Sequence, residues 1–332
     1  MKTLFIFFQK MCLLKECPNF PLNVYHCKEG DIEYGVKLGE GLSEVYKIKF
    51  REKSYAGKVY EDTELEEIRY ELEIAKRLEG VEQCVQTYGV LVIDDKLILL
   101  IELLNSHGDL YDYISKKQRW TACYKRKRKN TKQMIPKPKT NYLYYNAEED
   151  IYWCYELSEK QKIKITLSLV KALSALHHKK IIHGDLKTNN VILHYMDKKQ
   201  IIKLIDFGMS YFSETDDMID IEYKCGTMGY RAPEQEENKM NYQSDVYSLA
   251  VIVIEMWNGE IWIDGESFKE CRNEVLSGLR KIEKYHKELG NLLRKCLNLN
   301  PKKRPILQKV LDSLEKIIRS DHKYRSCPQH SK

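Results

Sequence analysis

The chain has 332 residues, 43% of them hydrophobic, enough for a sizeable core and one or two domains. Its 55 basic and 49 acidic residues leave a formal charge of +6, too small an excess to argue for nucleic acid by itself. Ten cysteines are scattered without a C-x-x-C pair, which points away from a zinc site or redox pair and towards free thiols in a reducing compartment.

Leu4 to Phe8 is an apolar run behind Lys2, broken by Gln9-Lys10 with no small-residue cleavage site after it. It falls short of the ~7–15 apolar residues of a signal-peptide core. It therefore reads as a docking segment or as a stretch ahead of a start at Met11. No run reaches the ~18 apolar residues of a membrane span. Pro18 and Pro21 punctuate the passage into the folded region.

Leu38-Gly39-Glu40-Gly41-Leu42-Ser43-Glu44-Val45 carries a G-x-G turn of the kind that any hairpin can produce. Its interest is its place before Tyr55-Ala56-Gly57-Lys58. Thr63 to Gly80 is rich in helix formers and in acids, with Gly80 as the stop. Leu97 to Leu104, apolar around Glu102, predicts a buried strand.

Between Ile114 and Ser158 the pattern is interrupted. Eleven Lys or Arg lie from Lys116 to Lys139, and Pro136 and Pro138 break any helix there. Aromatics follow, among them Tyr142, Tyr144, Trp153 and Tyr155. The segment reads first as a solvated insert, and second as a nuclear-localisation or nucleic-acid patch with stacking residues. Ser158-Glu159-Lys160-Gln161 is a capping box. Ile165, Leu169, Ala172, Leu173 and Leu176 then follow at helical spacing.

His183-Gly184-Asp185-Leu186-Lys187-Thr188-Asn189-Asn190 packs an acid, a cation and an amide into a short loop ahead of an apolar strand. A carboxylate there can orient a hydroxyl and take its proton. An ammonium can neutralise a phosphate, and an amide oxygen can hold a metal ion. Ile201 to Gly208 reads as a β-branched strand ending in a second acid, Asp206, across a polar turn at Met196-Asp197-Lys198-Lys199. The two runs predict a hairpin that delivers a carboxylate at its end.

These blocks, with Gly226-Thr227-Met228-Gly229-Tyr230-Arg231-Ala232-Pro233-Glu234, Ser244-Asp245 and Cys296-Leu297 to Arg304-Pro305, resemble the eukaryotic protein kinases over about residues 31 to 318. The resemblance implies an α+β, two-lobed fold. The β-rich small lobe with its C-helix covers 31–104 and the mainly helical large lobe 105–318. The insert is about 116–157, flanking segments being 1–30 and 319–332. It further implies an ATP- and magnesium-dependent serine/threonine kinase acting on protein hydroxyls, in the cytoplasm or nucleus.

By the same resemblance, Asp185 is the base, Lys187 stabilises the transferring group, and Thr227 completes the Ser/Thr pairing. Asn190 and Asp206 hold magnesium. Gly39, Gly41, Ser43 and Val45 form the glycine-rich loop, with Ala56 and Lys58 on the next strand. Lys58 pairs with Glu71, Glu67 and Glu73 being alternatives in an acid-rich helix. Ile101 is the gatekeeper, Glu102 and Leu104 offer backbone groups to adenine, and Asp109 meets the ribose. Asp245 bonds the catalytic-loop backbone, Arg304 pairs with Glu234, and His183 is a packed core residue.

Three departures stand out. Ser43 replaces a glycine in a loop shortened by one residue, the spacing from the hinge to Gly108-Asp109-Leu110 is one residue longer than usual, and Gly184 stands where the family usually has Arg. By the resemblance, the last removes the guanidinium that in the family normally grips a phosphorylated activation loop. It therefore predicts little dependence on such phosphorylation, with Ser210, Ser213, Thr215 and Tyr223 as modifiable residues. A scaffold without transfer is the alternative reading. A small-molecule phosphotransferase is a third, opposed by the A-P-E segment and Arg304.

Overall fold

The computed structural model describes residues 23–39, 44–60, 65–93, 96–106, 108–114, 145–146, 151–152, 157–196, 199–259 and 267–320. Two units emerge: Met1–Asn105 with Ile205–Gly208, and Ser106–Leu204 with Met209–Lys332. The N-terminal run, the basic stretch 116–139 and the last twelve residues lie outside the described residues.

In the first unit, β1 (Asn23–Cys27), β2 (Ile32–Gly39), β3 (Glu44–Phe50), β4 (Lys53–Tyr60), β5 (Thr87–Ile93) and β6 (Lys96–Ile101) form one sheet in the order β1-β5-β6-β4-β3-β2. Helix α1 (Leu65–Arg77) follows β4, and the chain turns through Gly80 at φ +75°. Alternate strand residues face opposite ways. Leu91, Ile93, Ile98 and Leu100 accordingly join Ile32, Ile48 and Phe50 on one side. Val90, Val92, Leu97 and Leu99 join Tyr60 and the α1 residues Ile68 and Leu72 on the other. Burial on both faces is why residues 90–93 of β5 and 97–101 of β6 are unbroken apolar runs.

Strand β1 was not anticipated. It lies parallel to β5, while every other neighbouring pair in this sheet is antiparallel. Its approach needs Gly89, since a Cβ there would sit 2.5 Å from the Asn23 carbonyl oxygen.

The second unit holds the short pairs β7 (Tyr145–Asn146) with β8 (Ile151–Tyr152), and β9 (Ile181–Ile182) with β12 (Tyr211–Phe212). The hairpin of β10 (Val191–Met196) and β11 (Lys199–Leu204) sets Met196 opposite Lys199. A further pair joins β13 (Ile219–Asp220) to β14 (Lys239–Met240). The helices are α2 (Glu159–His178), α3 (Tyr242–Asn258), α4 (Phe268–Tyr285), α5 (Lys287–Cys296) and α6 (Leu307–Ser320).

Helix α2 starts at its capping box: Ser158 accepts from Gln161 N–H, and Gln161 Oε1 accepts from Ser158 N–H at 2.9 Å. Helix α3 is buried nearly all round, with an apolar run from Leu249 to Ile254 at its centre. Asn241 caps its start at 3.0 Å from Gln243 N, and Gly259 ends it at φ +65°. Among the described residues no helix is long and apolar enough to cross a membrane.

Candidate active site

The period of β4 puts Ala56, Lys58 and Tyr60 on one face. Lys58 Nζ meets both oxygens of Glu71 on α1, at 3.0 and 2.9 Å. Both side chains are largely enclosed, at 15% and 13% exposure. Of the two alternatives, Glu73 is exposed, and the Glu67 side chain lies outside the described residues. Asp206 Oδ1 is 3.9 Å from the same ammonium. Asp206 has φ +61°, a left-handed conformation that Asp tolerates better than most residues. Val45 is paired with Lys58 across β3 and β4 and with Gly39 across β2 and β3. Gly41 and Ser43 lie outside the described residues. Past β6, Glu102 donates its N–H to Gln86 O at 2.8 Å, and Leu104 is half-buried.

In the second unit the loop from His183 to Asn190 hangs from helix α3. The carboxylate of Asp245 accepts the N–H of His183 at 2.9 Å and of Gly184 at 3.1 Å, and lies 2.8 Å from His177 Nε2. His183 is fully buried, as a packed core residue. Asp185 is then held from both sides. Its Oδ1 accepts from the N–H and the hydroxyl of Thr227, each at 2.7 Å, and its Oδ2 lies 2.8 Å from Lys187 Nζ. Lys187 also donates to Thr227 Oγ1 at 2.9 Å, closing a ring of three side chains. Asn190 donates Nδ2 to Asp185 O at 2.8 Å, which leaves its Oδ1 as the atom able to meet a cation. Asp109 is tied to the same loop. Its Oδ1 caps the following turn at 2.7 Å from Asp112 N, and its Oδ2 accepts from Asn189 at 3.1 Å.

Behind the loop, Thr188 Oγ1 lies 2.8 Å from the hydroxyl of Tyr230, which donates to Glu255 Oε2 at 2.6 Å. Burial pushes the Glu255 carboxyl up to about 7, against the lowering effect of the hydrogen bonds from Tyr230 and Thr188. Burial, and then the neighbouring Glu255, raise the Tyr230 phenol well above its usual range. Arg304 grips Glu234 with two bonds, at 2.6 and 2.7 Å, and Ser244 donates to the same carboxylate at 2.7 Å.

Two expectations on the activation segment, which the resemblance sets at Asp206 to Glu234, need correction. Ser210 and Ser213 are buried, and Ser210 donates to His183 O at 2.9 Å, so neither is presented for modification; Thr215 and Tyr223 are exposed. Sequence reasoning also missed Tyr60, whose hydroxyl donates to Glu71. It missed Gln235, whose amide donates to Gly184 O at 2.8 Å, and the Tyr230–Glu255 pair. Period-two spacing from Lys58 could have flagged Tyr60.

A family model described as protein kinase domain matches residues 139–314, just over half of the chain. The serine/threonine-protein kinase kin-29 of Caenorhabditis briggsae is 37% identical over 155 residues, 46% of this chain and 18% of the relative. The probable serine/threonine-protein kinase PBL18 of Arabidopsis thaliana is 31% identical over 207 residues, 56% of this chain and 51% of the relative. The probable serine/threonine-protein kinase gdt4 of Dictyostelium discoideum is 31% identical over 202 residues, 59% of this chain and 12% of the relative. The chain thus spans about half or less of the length of these relatives. It belongs to the protein kinase family, with the α+β architecture of that fold.

Proposed function

We propose that the protein is a serine/threonine kinase that moves the γ-phosphoryl group of ATP to a protein hydroxyl. The observation that carries this reading is the ring of Asp185, Lys187 and Thr227. Asp185 orients the acceptor hydroxyl and takes its proton. Lys187 balances charge as it gathers on the transferring oxygens. Thr227 fixes the plane of the carboxylate, so the base is aimed before substrate arrives. Lys58, braced by Glu71, steadies the phosphates of the donor.

Asn190 Oδ1 and the half-exposed carboxylate of Asp206 are oxygen donors of the kind magnesium takes alongside phosphates. A magnesium ion held by either would neutralise phosphate charge. Pairing of Thr227 with Lys187 favours Ser and Thr as acceptors, in keeping with the names of the relatives.

The test is transfer of labelled phosphate from ATP and magnesium to a Ser/Thr peptide panel, with Asp185→Asn and Asp206→Asn beside wild type. Transfer by wild type alone supports the reading. Nucleotide binding without transfer by any of the three would overturn it in favour of a scaffold.

A further inference from the structure

We infer that Tyr60 is a positioning residue that holds Glu71 on Lys58, so that the phosphate-steadying ion pair is built into the sheet before any ligand arrives. This rests on the proposed role of Lys58. Tyr60 lies two residues beyond Lys58 on the same face of β4, and is 6% exposed. Its ring packs with Ile68 and Leu72 of α1 and with Val90, Leu97 and Leu99 of the sheet. Its hydroxyl donates to Glu71 Oε2, and its ring centre is 5.2 Å from Lys58 Nζ. One side chain therefore touches the helix, the carboxylate and the ammonium at once.

The physical consequence is a biased choice. Lys58 has two carboxylates within reach, Glu71 at 2.9 Å and Asp206 at 3.9 Å. The phenol fixes the plane of the Glu71 carboxylate with both oxygens towards Nζ. Swinging Glu71 away would break the Tyr60 bond together with the ion pair, in an enclosed place where water replaces neither well. The ring also favours the ammonium where it stands. A strand aliphatic at position 60 would supply the packing and none of these polar constraints.

The test uses the full chain and Tyr60→Phe, which keeps the ring and removes the hydroxyl. Three quantities are read: thermal unfolding, kcat/KM for ATP with magnesium on the peptide panel, and hydrogen exchange of residues 65–77 without nucleotide. Support is an unfolding temperature close to wild type, with kcat/KM for ATP lowered about tenfold, the rate equivalent of one hydrogen bond to a charged group. Exchange of 65–77 should also be faster than in wild type. A lowered unfolding temperature with unchanged kcat/KM and exchange would mean plain packing and would overturn the inference, as would no change at all. A double-mutant cycle with Glu71→Gln should be non-additive; additive losses also overturn it.

Two arms remain if other parts fail. If wild type transfers no phosphate, the exchange comparison still decides the role of Tyr60, separately from the proposed activity. If Tyr60→Phe does not fold, wild type alone decides. Slow exchange of 65–77 that magnesium–ADP leaves unchanged supports a prebuilt pair, and exchange slowed only by nucleotide overturns it.

Discussion

Gln235 donates its side-chain amide to the carbonyl of Gly184 at 2.8 Å, in the heart of the second unit. The same amide reaches Cys225 O at 3.4 Å, and Gln235 Oε1 accepts from Ala232 N at 2.9 Å. Gln235 is 1% exposed. A single buried amide thereby links the catalytic loop, the end of the activation segment and the turn after Ala232. Gly184, at φ +77°, could hold no side chain without strain, since its Cβ would lie 2.2 Å from Met209 O. The position that lacks an arginine side chain is thus tied through its main chain.

Gln235→Ala should leave three buried main-chain groups short of a partner and cost about 1–3 kcal/mol of stability. Gln235→Glu should cost at least as much, because an ionised carboxylate offers no donor to the carbonyls of Gly184 and Cys225. Denaturant unfolding measures both. A loss well under that of an ordinary surface substitution would show that the amide links nothing.

Activity should not depend on a phosphorylated activation segment. The segment is anchored by Ser210 on His183 O at 2.9 Å and by Thr227 on Asp185 at 2.7 Å. Around the exposed Thr215 lie Glu214, Asp216 and Asp217, which would repel an added phosphate. Phosphatase-treated enzyme, Thr215→Ala and Tyr223→Phe should each keep activity within about twofold of untreated wild type. Loss of activity on dephosphorylation, restored by rephosphorylation at either residue, would refute this.

Much of the fold and site was legible because each block carried several constraints at short range. The acid, cation and amide of the catalytic loop lie within six residues, and the apolar run from Leu97 announces the two-sided burial of β6. Contacts between residues distant in sequence were legible only where resemblance supplied the partner, as for Arg304 and Glu234. Tyr60, Gln235 and Glu255 are common residue types whose partners the local pattern does not mark. Strand β1 was missed for the same reason: a five-residue run commits to a sheet only when β5 offers it an edge and a glycine. The burial of Ser210 and Ser213 depends on tertiary packing that a polar residue type does not reveal.

Arg304→Ala should be among the more damaging single changes in the second unit. Arg304 and Glu234 are 4% and 7% exposed, and removing the guanidinium strands a buried carboxylate. Breaking such a pair costs about 3–5 kcal/mol. Adding Glu234→Gln to Arg304→Ala should cost less than the sum of the two single changes, because the second removes the stranded charge. Denaturant unfolding of the three variants checks this, and strict additivity would contradict a direct pair.

The buried carboxyl of Glu255 sets a pH dependence of its own. Its pKa rises from 4.5 to about 7, driven by burial and assisted by Asp109, while Tyr230 and Thr188 pull the other way. A carboxyl raised on folding binds its proton more tightly in the folded state. Its contribution is full below about pH 4.5 and is lost as pH climbs through about 7. The difference in stability between those limits is on the order of 3 kcal/mol. Glu255→Gln keeps an acceptor for Tyr230 and removes the titration. The variant should therefore gain stability over wild type at pH 8 and lose that advantage towards pH 5. Unfolding free energies measured from pH 5 to 8 decide it: parallel curves for wild type and variant would show that Glu255 does not titrate in this window.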